Sequence, residues 1–337
     1  MRTAVQRSTG WTTIGPVRTT YGSTAGRMAA RAADREAGSF GVPTVSGRVD
    51  VARTLPLMVF QSLAIVLPAY NEESRLGPAL DELFAYLCSV AAGALPERVS
   101  VLVVDDGSTD GTAALVRARP EFAGEGPAAT ALGTHECPPL GLLTVPHGGK
   151  GAAVRAGMLA AQGDVIVFAD ADMATPPDQL PRLVAALRDA DVAIGSRIQP
   201  DGSDMRASQP HFRRMVGRVF RLMAQAWVTG PVRDTQCGFK GFTGAAAHDL
   251  FERLRITSIV FDVDLIFMAR RRGYRIAIVP IKWADRRGSR MHARPGLALR
   301  VAWDLIRIRF VHPGIKRAPA AATDGVVSGA AERTPKP

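Results

Sequence analysis

Five short apolar runs, each followed by a turn or a helical stretch, constrain the fold more than any other feature. They are "LAIVLPAY" (63–70), "RVSVLVVDD" (98–106), "LGLLTV" (140–145), "DVIVFAD" (164–170) and "DVAIG" (191–195). Runs of this length without alternation suit strands covered on both faces. The intervening segments carry helical spacing: residues 74–91, a stretch from the Gly107-Ser108-Thr109 turn to about Arg119, and Lys150 to Gln162, closed by Gly163. Residues 120–139, rich in Pro, Gly and small side chains, read as an inserted loop. The class expected is α/β, with a mostly parallel sheet and helices on both faces.

Open sheets of this kind bind ligands at the carboxyl ends of their strands. Here those ends carry the polar residues: Pro68-Ala69-Tyr70-Asn71-Glu72-Glu73, then Asp105-Asp106-Gly107-Ser108, then His147-Gly148-Gly149-Lys150-Gly151, and Asp170-Ala171-Asp172. A lone acid at a strand end is usually a helix cap. Three acidic ends and a glycine-rich lysine turn on one edge point instead to a shared ligand. Asp170 and Asp172 are spaced i, i+2, so both carboxylates can face one point in an extended segment. Their mutual repulsion is relieved by a hard divalent cation such as Mg2+ or Mn2+, which keeps water and phosphate oxygens as its other ligands. Thr175, Pro176, Pro177 and Asp178 read as the start of the next helix, with Thr175 as N-cap and Asp178 structural. The Gly148–Gly151 turn is neither a P-loop nor GxGxxG. Lys150 at a helix start can still meet a diphosphate with its charge and nearby N–H groups, although a solvated lysine is the plainer reading.

The 337-residue chain carries a net charge of +11, which favours an anionic partner. No RNA-binding or helix-turn-helix signature accompanies it, so nucleic acid is not the expected partner. Three cysteines, Cys88, Cys137 and Cys237, give neither a disulfide framework nor a CxxC site, and a reducing, cytosolic setting fits them. No run is long and apolar enough to span a membrane. Residues 1–57 are acid-poor, rich in Arg and small residues, and lack a hydrophobic period. They are expected to be a disordered or non-native extension, a transit-like presequence or an upstream start before Met58 being the other readings. Residues 316–337 read as a second tail, leaving one domain over 58–315.

The segments "VLPAYNEE", "VVDDGSTDGT", "GGKGAAVRAGM", "FADAD", "IGSR" and "DTQCGFKGF", in this order, resemble the family 2 glycosyltransferases of the GT-A fold. Within them the likeness is to the dolichyl-phosphate β-glucosyltransferases and polyprenyl-phosphate glycosyltransferases. It extends over roughly residues 62–312, and "FDVDLIF" and "VPIKWADRRGSRM" lean toward the glucosyl branch. The resemblance implies that Pro68, Ala69, Tyr70, Glu72, Asp105 and Asp106 hold the nucleoside, with Asp105 or Asp106 on the base. It implies that Asp172 is the main metal ligand and that Asp170 reaches metal or ribose, with Ala171 and Lys150 also at the donor. On the acceptor side it implies Arg197 with Arg213 or Arg214 on a phosphate, and Gln236, Lys240, Asp262, Ser289 and Arg290 nearby. For Asp262 an ordinary helix N-terminal charge is the alternative.

A guanidinium fork suits phosphate, and Arg197 follows the last of the five strands. Asp234 can act as a base if the acceptor is an alcohol. A phosphate monoester acceptor needs none, because its second pKa is about 6. Residues 209–229 and 297–310 mix Arg with Leu, Val, Phe and Trp at helical spacing. Such helices can lie in a lipid headgroup layer, as peripheral contact on the cytoplasmic face, or pack as ordinary domain helices with a charged outer side. The activity expected is inverting transfer of glucose from UDP-glucose, or another nucleotide-sugar, to a polyprenyl phosphate. GDP-mannose as donor and a non-lipid acceptor are the alternatives.

Overall fold

The computed structural model describes residues 59–134, 138–205, 218, 220, 222–230, 232–284, 286 and 295–316. Its centre is strand β1 (Ser62–Ala69), flanked in parallel by β2 (Arg98–Asp105) and β6 (Val165–Ala169). Alternation along β1 divides the core. Leu63, Ile65 and Leu67 face helices α1 (Glu73–Ser89) and α4 (Leu180–Ala186). Ala64 and Val66 face α3 (Lys150–Ala160), α5 (Gly244–Arg253) and α6 (Phe261–Arg272). Because each face is covered, every second residue is apolar on both sides, and the strands read as continuous runs. Helix α2 (Thr112–Arg117) follows β2, and α7 (Pro295–Val311) closes the described chain.

Two differences from the expected order have physical causes. Residues 120–139 contain β3 (Phe122–Glu125), a short 3-10 turn and β4 (Gly133–Thr134). β3 pairs beside β5 (Leu140–Thr144) and β4 pairs antiparallel with β2, so this stretch extends the sheet edge and is more than a loop. Strands this short carry too little apolar period to register in sequence. The second difference is β8 (Phe239–Thr243), which runs antiparallel between β6 and β7 (Val192–Ser196). β9 (Ile276–Pro280) then pairs parallel with β7, giving the order β3-β5-β2-β1-β6-β8-β7-β9 among the described residues. The arrangement is GT-A-like. Strand β8 lays "CGFKGF" directly alongside "VIVFAD", with Phe239 opposite Ala169.

Helix α4 does not begin as expected. Pro176, in extended backbone, occupies the cap, a 3-10 turn Pro177–Gln179 precedes α4, and no side chain caps it. Thr175 is therefore not the N-cap. Asp178 instead accepts from Gln179 Nε2 at 2.7 Å and pairs with Lys282 at 3.0 Å. Of the tails that the sequence reading set at 1–57 and 316–337, all but Lys316 lie outside the described residues.

Candidate active site

At the end of β1 the chain turns through Asn71, whose φ of 53° is in the left-handed region. Asn71 N–H donates to Ser108 Oγ at 2.9 Å and its Oδ1 accepts from Thr109 N–H at 2.8 Å, so the turn after β2 holds it there. After β6, Met173 adopts φ 49°, the other non-glycine residue in this region among those described. Both strained residues sit on one sheet edge, next to the polar segments, where such conformations tend to collect at functional sites.

Asp105 and Asp106 are buried and already engaged. Asp105 Oδ1 accepts from Ser108 N–H at 3.0 Å. The two oxygens of Asp106 accept from Gly148 N–H at 2.8 Å and Gly149 N–H at 2.9 Å, and His147 Nδ1 lies 2.9 Å from Oδ2. This changes the expected division of labour. The N–H groups of Gly148 and Gly149 are directed at Asp106 and are not offered to an anion, whereas the ammonium of Lys150 stands free of that bond. Tyr70 stacks on His147 with centroids 4.2 Å apart and remains 39% exposed, which gives a flat aromatic surface at the edge. Pro68 and Ala69 end β1 beneath it.

The acidic pair carries two cations. Lys150 Nζ bonds to Asp170 Oδ1, and Arg75 NH1 lies 3.3 Å from Asp172 Oδ2. Arg75, one turn into α1, also donates through Nε to Glu72 Oε2 at 2.6 Å. Burial, and then the neighbouring Asp170, push the Asp172 carboxyl above its usual range. Burial opposes the charge of Lys150, but Asp170 and Asp262 outweigh it and raise its pKa. Ala171 is buried between the two acids. Among the described residues no group of three or more His, Cys, Asp or Glu side chains converges as a metal cage. Two hard carboxylates at a strand end still fit a cation that takes its remaining ligands from water and phosphate.

Beneath the pair, Asp170 N–H donates to Gly238 C=O at 3.0 Å. A side chain at Gly238 would land on the carboxylate of Asp170, so only glycine lets β8 approach this closely. Lys240, expected at the acceptor, is instead 1% exposed. Its ammonium donates to Asp262 Oδ1 at 2.6 Å and to Cys237 C=O, 5.4 Å from the Phe168 ring centroid. Asp262, expected on the same side, is buried in the first turn of α6. Burial raises its pKa despite the lysine. Both therefore brace the floor and do not line the cleft. Gln236 Nε2 reaches Ile259 C=O at 3.4 Å.

Arg197 and Asp234 meet each other. Asp234 accepts from Arg197 N–H at 2.8 Å, Nε at 2.8 Å and NH2 at 2.6 Å. Burial opposes the guanidinium charge, yet the bond to Asp234 holds it on, and the Trp283 ring lies 5.6 Å away. A carboxylate clamped in this way is poorly placed to serve as a base, contrary to one expected role of Asp234. Arg213, Arg214, Ser289 and Arg290 lie outside the described residues. The sequence reading missed Arg75 and Gly238, and it placed His147 on the edge without a role. Arg75 was accessible as a cation three residues after Glu72 at a helix start; Gly238 shows its role only once β8 is known to lie beneath Asp170.

The model of the family described as "Glycosyl transferase family 2" matches residues 64–251. The dolichyl-phosphate beta-glucosyltransferase of Drosophila melanogaster is 35% identical over 240 residues, 68% of this chain and 69% of that protein. The human protein of the same name is 31% identical over 238 residues, 68% and 70% of the two chains. Among solved structures, glucosyl-3-phosphoglycerate synthase from Mycobacterium tuberculosis, in complex with Mn2+, UDP-glucose and phosphoglyceric acid, superposes with a TM-score of 0.51. It shares 20% identity and covers 75% of this chain and 81% of its own, a likeness in fold.

Proposed function

Because this chain belongs to glycosyl transferase family 2, we propose that it transfers glucose from UDP-glucose to a dolichyl-type polyprenyl phosphate with Mg2+ or Mn2+. The observation that carries the reading is the acidic edge: Asp170 and Asp172, each partnered by a cation, beside an aromatic stack and above a glycine floor. The names of the relatives support the sugar and the acceptor class.

Tyr70 and His147 offer the base a stacking surface, and Asp105 and Asp106 fix the turns that shape its pocket. Asp170 and Asp172 would hold the cation, which would supply charge neutralisation at the diphosphate. Binding of donor frees Lys150 and Arg75 from the carboxylates, and Lys150 then meets the leaving diphosphate. An acceptor phosphate oxygen attacks the sugar C1 as the C1–O bond to UDP breaks, with inversion, and UDP departs with the electron pair. The acceptor is already an anion near neutrality, so the step needs positioning more than a base. That Asp234 is held by Arg197 supports an acceptor of this kind. Arg213, Arg214, Ser289 and Arg290 are proposed around the acceptor phosphate, on the chemistry of their side chains.

No helix among the described residues is long and apolar enough to cross a membrane. The outward face of α7 instead presents Trp303, Ile306 and Phe310, with Leu222, Met223 and Trp227 exposed elsewhere. Arg300, Arg307 and Arg309 are exposed on the same helix, and this mixture of apolar side chains with arginines supports peripheral contact with a lipid surface, proposed on its cytoplasmic side.

The test is transfer of radiolabel from UDP-glucose into the organic phase with a polyprenyl phosphate, with GDP-mannose as rival donor and Asp172→Asn as control. Metal-dependent transfer from UDP-glucose, lost in the variant, is expected. Transfer from GDP-mannose alone would overturn the donor, and label remaining in the aqueous phase with every lipid acceptor would overturn the acceptor.

A further inference from the structure

At the C-terminal end of α7 an open cleft of about 480 Å³ is lined by Arg253, Arg255, Arg272, His312, Gly314 and Lys316, among others. None of these shares a hydrogen bond with the acidic edge. Asp249 answers part of the charge. It takes Arg272 through both oxygens at 2.6 and 2.7 Å, Arg253 at 3.1 Å and the Tyr274 hydroxyl at 2.8 Å. Arg272 also donates to Lys316 C=O at 2.9 Å, fastening the segment after α7 across the cleft. His312 is spoken for as well, bonded at 2.7 Å to the buried Asp264 behind it. The side chains of Arg255 and Lys316 have no partner among the described residues, and both are exposed. Four cations, Arg253, Arg255, Arg272 and Lys316, therefore surround a cavity against two carboxylates, Asp249 and the buried Asp264.

The same helix end carries apolar surface. Trp303, Ile306 and Phe310 stand at i, i+3 and i+7, 61%, 46% and 70% exposed, while Leu305, Ile308 and His312 on the opposite side are buried. Arg309 stacks over the Trp227 ring at 4.9 Å. An exposed aromatic stripe on the helix whose C-terminal end borders a basic cleft pairs apolar with cationic surface, as a membrane interface requires. We propose that this cleft is a second anion site, distinct from the sugar-transfer site, which takes the phosphate of an anionic lipid headgroup while the outer face of α7 rests among the acyl chains. The inference rests on the membrane contact argued above.

The full chain is floated with phosphatidylcholine vesicles, with and without phosphatidylglycerol. Arg255→Gln/Lys316→Gln is expected to lower the phosphatidylglycerol-dependent partitioning about 30-fold, the worth of two basic side chains at an anionic surface. Arg98→Gln/Arg188→Gln, which removes two exposed charges elsewhere, is expected to change it less than about threefold. Equal losses in both pairs, or none in the first, would overturn the site. Titration with inorganic phosphate distinguishes the source. Saturable phosphate binding lost in Arg255→Gln/Lys316→Gln, with vesicle partitioning intact, would overturn the lipid assignment. Lys316→Gln alone serves as the milder variant. Flotation needs no sugar transfer, so its failure is separable from failure of the glucosyl reading.

Discussion

On the proposed reading Asp172 is held for a ligand, at a cost to the unliganded fold. Its carboxyl is raised by burial and by Asp170, so between the usual carboxylate range and the raised value the native state binds more protons than the unfolded chain. Stability from this group is present at low pH and falls as pH rises through the folded pKa. Asp172→Asn removes the repulsion while an amide oxygen can still accept from Ala174 N–H, now at 3.1 Å. The expected outcome is transfer reduced by roughly a thousandfold or more, with a Tm at pH 8 no lower than that of the parent. A Tm several degrees lower would mean that the carboxylate is a structural brace. Gly238→Ala makes the complementary case: its methyl would displace the Asp170 side chain. Metal or donor affinity measured by calorimetry should fall about 10- to 100-fold, the usual effect of disturbing what supports a ligand, and unchanged affinity would show that Asp170 has room to move.

The same contrast between function and support governs the elements. β8 and the start of α6 meet beneath the acidic pair through Lys240 and Asp262, a buried ion pair under the Phe168 ring. Lys240→Met leaves Asp262 buried without its partner and should destabilise by about 3–5 kcal/mol, whereas Lys240→Met/Asp262→Leu should recover most of it. Denaturant unfolding of the three proteins decides the matter; equal losses in single and double variants would mean that the pair does not couple the elements. This pair also marks where the sequence stops being legible. The five apolar runs gave the parallel strands and the edge on which Asp105, Lys150, Asp170 and Asp172 gather, because burial on both faces leaves a continuous hydrophobic signature. The antiparallel insertion of β8 left none: "FKGF" contains a lysine, and a buried lysine looks like a surface one until its partner is known. Lys240 and Asp262 were thus read as cleft residues, and Arg197 and Asp234 as separate functional groups, because pairing across distant segments is invisible in a single chain.

For the molecule as a whole, the question is how ligand binding couples to the fold. The described residues offer two carboxylates and no larger metal-binding group, and each carboxylate is engaged by a cation of the chain itself. A metal arriving alone must displace Lys150 and Arg75 while gaining only two protein ligands. A nucleotide-sugar arriving alone meets Lys150, but also the uncompensated charge of Asp170 and Asp172. On the proposed reading the two would bind together, the cation offsetting the charge between diphosphate and carboxylates. Thermal unfolding should therefore show synergy. Mn2+ alone and UDP-glucose alone, with chelator in the latter case, should each move Tm by less than about 2 °C. Both at about 100 times their dissociation constants should add roughly 5–10 °C, from about 2.7 kcal/mol of linkage. Asp172→Asn should lose the joint shift. A full shift with Mn2+ alone would place the metal site wholly in the protein, and a full shift with UDP-glucose in chelator would remove the metal from donor binding. Either result would break the link between the paired carboxylates and the diphosphate, whereas a joint shift that depends on Asp172 would tie donor, metal and fold to the same sheet edge.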